Sequence, residues 1–225
     1  MVRAVPAPVP TQAAILRALL TARSRGVEPE RIAVVGNAPV APSTLRARRL
    51  DGADLVVRMT TFALDRDDAA VGRRTDVVVL HRAVVPGPDT FADHASRLYL
   101  LAEPGRRFWE QEALPPWWPT DLELVPVSNR EFTSRTRAAL RMGPAAIAWP
   151  TTGTLAVHLV HRLFPHARIL LAGSSLVGAR TGPSRSSRLA HHWGPSVRLT
   201  PEHRLERERR LLRAWREQGW LEPLA

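Results

Sequence analysis

Histidines and a glutamate near the end of the chain have the types and spacing of acid–base groups. His191 and His192 are adjacent, and four residues separate His203 from Glu208. A neutral imidazole near pH 7 can remove a proton from a hydroxyl, so His203 is a candidate general base. The plainer interpretations also fit, because the paired histidines can be loop residues and the glutamate can pair with one of the many arginines.

Residues around His203 are predicted to open the last helix, which runs to about residue 218. Thr200 is a suitable N-cap and Pro201 a suitable first helical residue. In that frame His203 lies in the first turn, where the helix dipole disfavours a protonated imidazole. Glu208 falls on the apolar stripe of the same helix, and a buried carboxylate needs a partner. The other members of that stripe are Leu205, Leu212 and Trp215.

A second candidate is the hydroxyl-rich turn at 150–154, Pro-Thr-Thr-Gly-Thr, which precedes a predicted helix. Free N–H groups at a helix start, two hydroxyls at Thr151 and Thr152, and close backbone approach at Gly153 suit a phosphate, a ribose or a base edge. A hydroxyl in this position is also the usual N-cap of a helix. The turn therefore predicts either a nucleotide contact or a cap.

A third candidate is Gly36-Asn37, which follows the apolar run 31–36. Open α/β sheets bind ligands at the carboxyl ends of their strands, so this pair lies where a ligand site is expected. A Gly-Asn pair after a strand is also typical of a plain turn. The fingerprint G-x-G-x-x-G and the P-loop are both absent, which excludes those two nucleotide-binding classes by residue type.

Short apolar runs alternate with loops and helical segments along the chain, a pattern typical of an α/β fold with a mostly parallel central sheet flanked by helices. One Rossmann-like domain over 1–225 is expected, with an N-terminal helix at 11–24 and a flexible Arg/Ser-rich loop at about 179–199. Further helices are predicted at 43–50, 130–142 and 154–164. Strands are predicted at 31–36, 54–58, 75–80, 97–102, 122–127 and 168–173.

The amino-acid composition excludes several classes of site and favours an anionic ligand. The chain has no cysteine, which excludes disulfides, thiolate metal sites and cysteine nucleophiles. No apolar stretch is long enough for a membrane-spanning helix. The net charge is +11 and every basic residue is arginine, with ten arginines against three glutamates at 180–216. Arginine matches phosphate and carboxylate, so an anionic ligand is expected there, although codon bias and a solvated surface explain many arginines equally well.

Other constellations are weaker. The acidic run 65–68 resembles the acidic pair with which many glycosyltransferases hold a divalent metal, but such residues are common in turns. His158, His161 and His166 lack a further ligand for zinc. Ser174 and Ser175 follow a strand without the spacing of a hydrolase elbow. The acidic run is kept as a minor alternative, whereas a zinc site and a serine hydrolase are not expected.

Taken in order, the pieces resemble four motifs of the animal-type sialyltransferases. Segments 32–37, 50–59 and 71–76 are similar to the family's large motif, and 150–157 with 169–173 to its small motif. The third motif resembles 191–194, and the very small motif, a His and a Glu separated by four residues, fits 203–208. The resemblance covers about residues 31–82 and 148–210, and it implies a GT-A-variant, Rossmann-like fold.

The resemblance also implies an activity. Members of the family transfer an acidic sugar from a CMP-sugar to an acceptor hydroxyl with inversion and without a metal or other cofactor. By position, Gly36, Asn37 and Thr60 would contact the nucleotide. Thr151, Thr152 and Gly153 would hold the cytidine. These six residues are the nucleotide-binding candidates.

Two histidines take the catalytic roles that the resemblance implies. His203 would remove the acceptor proton, and His191 would bind the donor phosphate as it leaves. Glu208 and Arg58 would support the site structurally. The donor would be CMP-sialic acid, CMP-Kdo or a similar CMP-linked acid, and the acceptor a glycan or a small-molecule hydroxyl.

Departures from the family pattern leave alternatives open. Thr60 stands where the family has Asn after Arg58-Met59, which puts one contact in doubt. The cysteine pair of the family is missing, as expected for a bacterial, cytoplasmic protein. An inactive CMP- or nucleotide-binding protein of the same fold is therefore an alternative. Nucleic-acid binding through the arginines is another, but no DNA- or RNA-binding motif supports it.

Overall fold

The computed structural model describes residues 11–103, 114–143, 148–177, 188–189, 191, 194, 197–198 and 203–224. The helices are α1 (Gln12–Arg23), α2 (Thr44–Asp51), α3 (Ser134–Ala139), α4 (Thr152–Leu163) and α5 (Leu205–Glu217). The strands are β1 (Arg31–Val35), β2 (Leu55–Met59), β3 (Val77–Leu80), β4 (Leu98–Leu101), β5 (Leu124–Pro126), β6 (Arg168–Ala172), β7 (Arg188–Leu189), β8 (Val197–Arg198) and β9 (Leu221–Pro223).

Seven strands form one sheet in the order β5-β4-β3-β2-β1-β6-β9, and every neighbouring pair is parallel. Parallel sheets are covered on both faces, so their strands are apolar throughout, and β2 and β3 are buried at every position. The predicted α/β class, with a parallel sheet flanked by helices in a single domain, is confirmed.

Helices pack on both faces of this sheet. Ile32 and Val34 of β1 belong to the apolar cluster that contains α1, α4 and the buried side of α5. Ala33 and Val35 alternate with them and pack on the opposite face with Leu50 of α2. The alternation follows from the two-residue period of a strand, and it gives the protein a helix–sheet–helix arrangement.

The strand order reverses beside β1. From β1 the chain moves outward through β2, β3, β4 and β5, and then returns to place β6 on the other side of β1. This reversal is a topological switch point, where the loops after the two central strands separate and leave a crevice. The crevice lies between the carboxyl ends of β1 and β6.

Some elements differ from the predictions. The helix predicted at 130–142 consists of a π-helical turn at Asn129–Thr133 followed by α3. α5 begins at Leu205, later than expected. The short strand β9 was not predicted, nor was the antiparallel pair β7–β8, which falls within the predicted flexible loop 179–199. The rest of that loop, apart from residues 191 and 194, lies outside the described residues. No helix in the described ranges is both long enough and apolar enough to cross a membrane.

Candidate active site

The floor of the crevice is a close contact between two glycines. The N–H of Gly36, after β1, donates to the carbonyl of Ala172 at 2.9 Å, and Gly173 follows β6 in the left-handed region at φ +61°. A Cβ on Gly36 would lie 2.3 Å from the carbonyl oxygen of Gly173. Only glycine fits this approach, so the glycine predicted after the first strand has a packing reason.

A cavity of about 310 Å³ opens above this floor, a volume typical of small-molecule sites. All eight residues assigned from the sequence to nucleotide binding or catalysis line it, namely Gly36, Asn37, Thr60, Thr151, Thr152, Gly153, His191 and His203. They come from segments up to about 170 residues apart in the chain, and the sheet topology brings them to one edge.

Asn37 presents an unused acceptor beside the cavity. Its side-chain amide donates to the carbonyl of Met59 at 3.1 Å and to Oγ1 of Thr60 at 3.2 Å. Its Oδ1 is buried and has no hydrogen-bond partner among the described residues. A buried acceptor without a partner is unfavourable, and a ligand amine or hydroxyl would satisfy it.

Thr60 has an unusual backbone conformation. Its φ is +55°, in the left-handed region that β-branched residues disfavour, and its hydroxyl donates to the carbonyl of Met59 at 2.8 Å. Asn and Gly adopt this region at lower cost. The position that departs from the family's Asn therefore keeps a backbone geometry that suits Asn.

The N-terminus of α4 faces the same cavity. Thr151 is the N-cap, and its side chain accepts from the N–H of Thr154 at 3.3 Å. The next N–H groups, of Thr152 and Gly153, have no intrahelical partner because of their position, and they donate no hydrogen bond to another described residue. A helix start with free N–H groups favours an anion or an electronegative ligand atom.

Glu208 joins this helix start to α5. Its side chain is fully buried, and its carboxylate accepts from the N–H of Thr151 at 3.1 Å and from the Thr151 hydroxyl at 2.5 Å. The Thr154 hydroxyl donates to the same carboxylate. The predicted position on the buried stripe is therefore observed, but the partners are threonines and not an arginine.

His203 lies two residues before α5, in contrast to the predicted first turn. Its Nδ1 is 3.2 Å from the carbonyl oxygen of Trp149. A carbonyl can only accept, so Nδ1 carries the proton of this hydrogen bond, and in the neutral ring Nε2 keeps its lone pair. The orientation suited to a base therefore comes from one backbone carbonyl and does not depend on a helix dipole.

The second predicted catalytic histidine, His191, also lines the cavity and is half-buried. His192 and Trp193, which belong to the same sequence motif, lie outside the described residues. His191, in the connection between β7 and β8, and His203, after β8, thus line one cavity.

Arg58 supports the site from within the protein. It is 1% exposed, and its guanidinium donates to the carbonyls of Val71 and Arg74 and to Oγ1 of Thr75. Burial lowers the pKa of Arg58 to about 10, partly offset by Asp51 and Asp65, so it is still a cation at neutral pH. It does not line the cavity. Its contacts hold the loop 71–75 against β2.

Asp65, the first residue of the acidic run 65–68, has a structural role. The carboxylate of Asp65 accepts from the N–H groups of Ala70, Val71 and Gly72, which closes the loop between β2 and β3. Among the described residues, no group of three or more His, Asp or Glu side chains could hold a metal ion.

His81 is a cavity residue that the sequence analysis missed. It directly follows β3, as Gly36 follows β1, and it lines the cavity together with Ser174 and Ser175 after β6. The signal that identified Asn37, a polar residue after a buried parallel strand, also applies to His81. Listing the residues after every predicted strand would have found it.

Comparison with solved structures identifies the fold. A crystal structure of a mammalian sialyltransferase matches with a TM-score of 0.58 and 15% sequence identity, over 89% of this chain and 70% of that one. The chain has a sialyltransferase-like fold. A mammalian sialyltransferase in complex with Gal-beta-1-3GalNAc-ortho-nitrophenol matches with a TM-score of 0.60 and 14% identity, over 96% of this chain and 80% of that one. No protein-family model matches the sequence, and no curated protein matches it either.

Proposed function

We propose that the protein is a sialyltransferase-like glycosyltransferase that transfers an acidic sugar from a CMP-sugar to an acceptor hydroxyl with inversion. One observation carries the proposal. Asn37, the start of α4, His191 and His203 all line a single cavity at the switch point of a sialyltransferase-like sheet.

The nucleotide is proposed to bind between β1 and α4. The unpaired Oδ1 of Asn37 would accept a hydrogen bond from the CMP-sugar. The N–H groups of Thr152 and Gly153 would bind the cytidine at the start of the helix. A Cβ on Gly153 would lie 3.2 Å from Sδ of Met59, so a larger residue would crowd the space between the helix start and β2. These contacts need no metal ion.

The proposed chemistry is a single displacement. The acceptor oxygen attacks the anomeric carbon on the face opposite the phosphate, while Nε2 of His203 takes the hydroxyl proton. The bond from the anomeric carbon to the phosphate oxygen breaks, and CMP leaves with the electron pair. His191 would bind the phosphate as its negative charge grows. The acceptor is proposed to be a glycan or a small-molecule alcohol.

CMP release from CMP-sialic acid and from CMP-Kdo tests this function, because water can replace an unidentified acceptor. His203→Asn keeps a side-chain N–H near the position of Nδ1 for the Trp149 carbonyl but removes the base at Nε2. We expect it to lower the rate by about 10²–10⁴-fold. His166→Ala, at an exposed site after α4, is the matched control and should leave the rate unchanged.

Wild-type turnover by the His203→Asn variant would refute the proposed base. A second candidate function is a CMP-binding protein of the same fold without turnover, favoured by the strained Thr60 where the family has Asn. CMP binding without CMP release from any donor would support that candidate. Binding of a DNA duplex alone, lost at high salt, would contradict both.

A further inference from the structure

The outer side of α5 and the residue before it carry a series of arginines. Arg204, Arg207, Arg210 and Arg213 follow one another at intervals of three residues, and all four side chains are exposed. Residues three apart are neighbours on a helix surface, so these side chains form one continuous ridge, the arginine row. With a rise of about 1.5 Å per residue, the arginine row extends about 14 Å along the helix axis.

The carboxylates of the protein neutralise little of this charge. Arg207 and Arg213 form no ion pair in the described part of the chain, and Nε of Arg210 is 3.6 Å from the Glu206 carboxylate, which is longer than a hydrogen bond. The carboxylate of Glu208 is buried and binds threonines. The arginine row is therefore a cationic surface, which favours a negatively charged partner.

One member of the arginine row is fixed by the neighbouring helix. NH1 of Arg207 donates to the carbonyl of Arg141 at 2.7 Å, just after the end of α3. The side chain of Arg141 is itself exposed and forms no ion pair with a described carboxylate, so it adds positive charge beside α5. A guanidinium that is already held in place loses less conformational entropy when it binds an anion.

The arginine row begins at the wall of the cavity. His203 lines the cavity, Arg204 directly follows it, and Leu205 lines the cavity again. In the proposed reaction the acceptor hydroxyl must reach Nε2 of His203. An acceptor bound in this way lies beside the first arginine of the row, so the part of a larger acceptor that leaves the cavity meets the row.

The apolar residues of α5 indicate what kind of anion fits. None of the large apolar side chains that are exposed in the described part of the chain lies on α5, whereas a helix that binds a membrane surface exposes such residues. Single-stranded nucleic acid needs aromatic side chains for base stacking, and the one aromatic residue of α5, Trp215, is 5% exposed. A nucleic-acid duplex is too wide for a cavity of about 310 Å³. A charged saccharide chain needs neither apolar nor aromatic contacts here.

We propose that the arginine row binds an acceptor oligosaccharide that carries carboxylate or phosphate groups, with its reacting hydroxyl at His203. This assignment rests on the proposed function and names the acceptor class for it. The planar guanidinium presents parallel N–H donors that match two oxygens of either anionic group. The arginine row would thus select the acceptor and leave binding of the nucleotide unaffected.

Calorimetric binding measurements on the whole chain test the charge of the acceptor. The probes are an oligogalacturonate, a phosphorylated oligomannoside and a neutral malto-oligosaccharide of equal length. We expect the neutral probe to bind about tenfold more weakly than the better anionic probe, whose identity tells carboxylate from phosphate. Raising the salt from about 0.1 M to about 1 M shortens the screening length from about 10 Å to about 3 Å, so it should remove most of this difference.

A double variant tests the arginine row itself. Arg210→Gln with Arg213→Gln should weaken binding of the better anionic probe about fivefold, the effect of two exposed ion pairs, and should change the Kd for CMP less than about twofold. Arg25→Gln with Arg48→Gln is the matched control. Both of its arginines are exposed and without an ion pair to a described residue, Arg25 before β1 and Arg48 on α2 at the opposite face of the sheet. The control should change neither Kd.

CMP release from CMP-sialic acid tests whether the bound saccharide is the acceptor. The better anionic probe should raise the rate about twofold or more, because transfer to a saccharide hydroxyl then adds to transfer to water. A saccharide that binds to the arginine row without changing this rate would overturn its assignment as the acceptor.

Other results would overturn the proposal as a whole. Equal binding of the three probes, or equal losses in the double variant and the control, would mean that the arginine row does not select an anionic saccharide. Binding of a DNA oligonucleotide, or of vesicles of phosphatidylglycerol and phosphatidylcholine, without binding of either anionic probe would assign the row to that partner instead. A wild-type protein that does not bind CMP would refute the proposed function, which is a separate failure from loss of saccharide binding.

Discussion

Replacing Glu208 with alanine should destabilise the protein strongly and separate the two sides of the cavity. The carboxylate binds both threonine hydroxyls at the start of α4, together with the N–H of Thr151, from a fully buried position on α5. This group of contacts connects the helix that carries Thr152 and Gly153 to the segment that carries His203. The variant therefore tests both stability and the geometry of the site.

The magnitude follows from these contacts. A hydrogen bond to a charged group contributes about 1.5–3 kcal/mol, and Glu208 accepts two from hydroxyls besides the one from the backbone. The Thr151 hydroxyl is within 3.2 Å of the Thr154 hydroxyl, so the freed hydroxyls recover part of the loss by pairing with each other. We expect Glu208→Ala to lower the free energy of unfolding by about 3–5 kcal/mol.

Scanning calorimetry would measure this loss as a fall in Tm of about 6–20 °C for a domain of this size. Glu208→Gln keeps the volume and one acceptor oxygen, so its Tm should lie between those of the alanine variant and the wild type. Glu206→Ala, on the exposed side of the same helix, is the control and should change the Tm far less. A Glu208→Ala variant as stable as the control would refute the claim that this carboxylate connects α4 to α5.

Three further predictions concern the rest of the structure. Gly36→Ala should cost about 2–3 kcal/mol in chemical denaturation, because its Cβ would lie 2.3 Å from a carbonyl oxygen, whereas Gly143→Ala, with nothing within 4 Å, should not. Thr60→Asn should raise the Tm by a few degrees, because Asn adopts φ +55° at about 1 kcal/mol less cost. Burial, with a smaller contribution from Arg162, lowers the pKa of both His158 and His161 to about 4. The unfolded chain therefore takes up their protons first, so stability measured by urea denaturation should be complete above about pH 6.5. It should fall toward pH 4 by at most about 1.4 kcal/mol per pH unit for each histidine.

Each of these predictions has a contradicting result. Equal stability of the two glycine variants would mean that β1 and β6 need no close approach. A lower Tm for Thr60→Asn would mean that the threonine hydroxyl contributes more than the backbone strain costs. A pH dependence that is unchanged when His158 and His161 are both replaced by glutamine would exclude these histidines as its source.

The sequence predicted the sheet and the residues of the site for the same physical reason. Buried parallel strands are continuous apolar runs, and their carboxyl ends share one edge, so Asn37, which follows the first strand, could be expected at that edge. His191 and His203, which belong to the last two motifs in the sequence, line the same cavity as Asn37 and the turn 150–154. The roles of these residues stay predictions.

Other features depend on contacts that a single sequence does not reveal. The tautomer of His203 is set by the Trp149 carbonyl, 54 residues earlier in the chain. Glu208 binds two threonines, and no arginine is among its partners in the described part of the chain. The strand β9 is three residues long and ends in Pro223, so its local pattern resembles a loop.

The most direct test of the account is whether the cavity binds CMP. Thermal shift assays with CMP, UMP, AMP and a short DNA duplex, each at low and high salt, would compare the candidate ligands without knowledge of the acceptor. At a hundredfold excess over its Kd, CMP should stabilise the protein by about 2.7 kcal/mol, or about 5–11 °C, at both salt concentrations. UMP and AMP should give much smaller shifts. No shift with CMP, or a shift with DNA alone that disappears at high salt, would contradict the proposed CMP-sugar site.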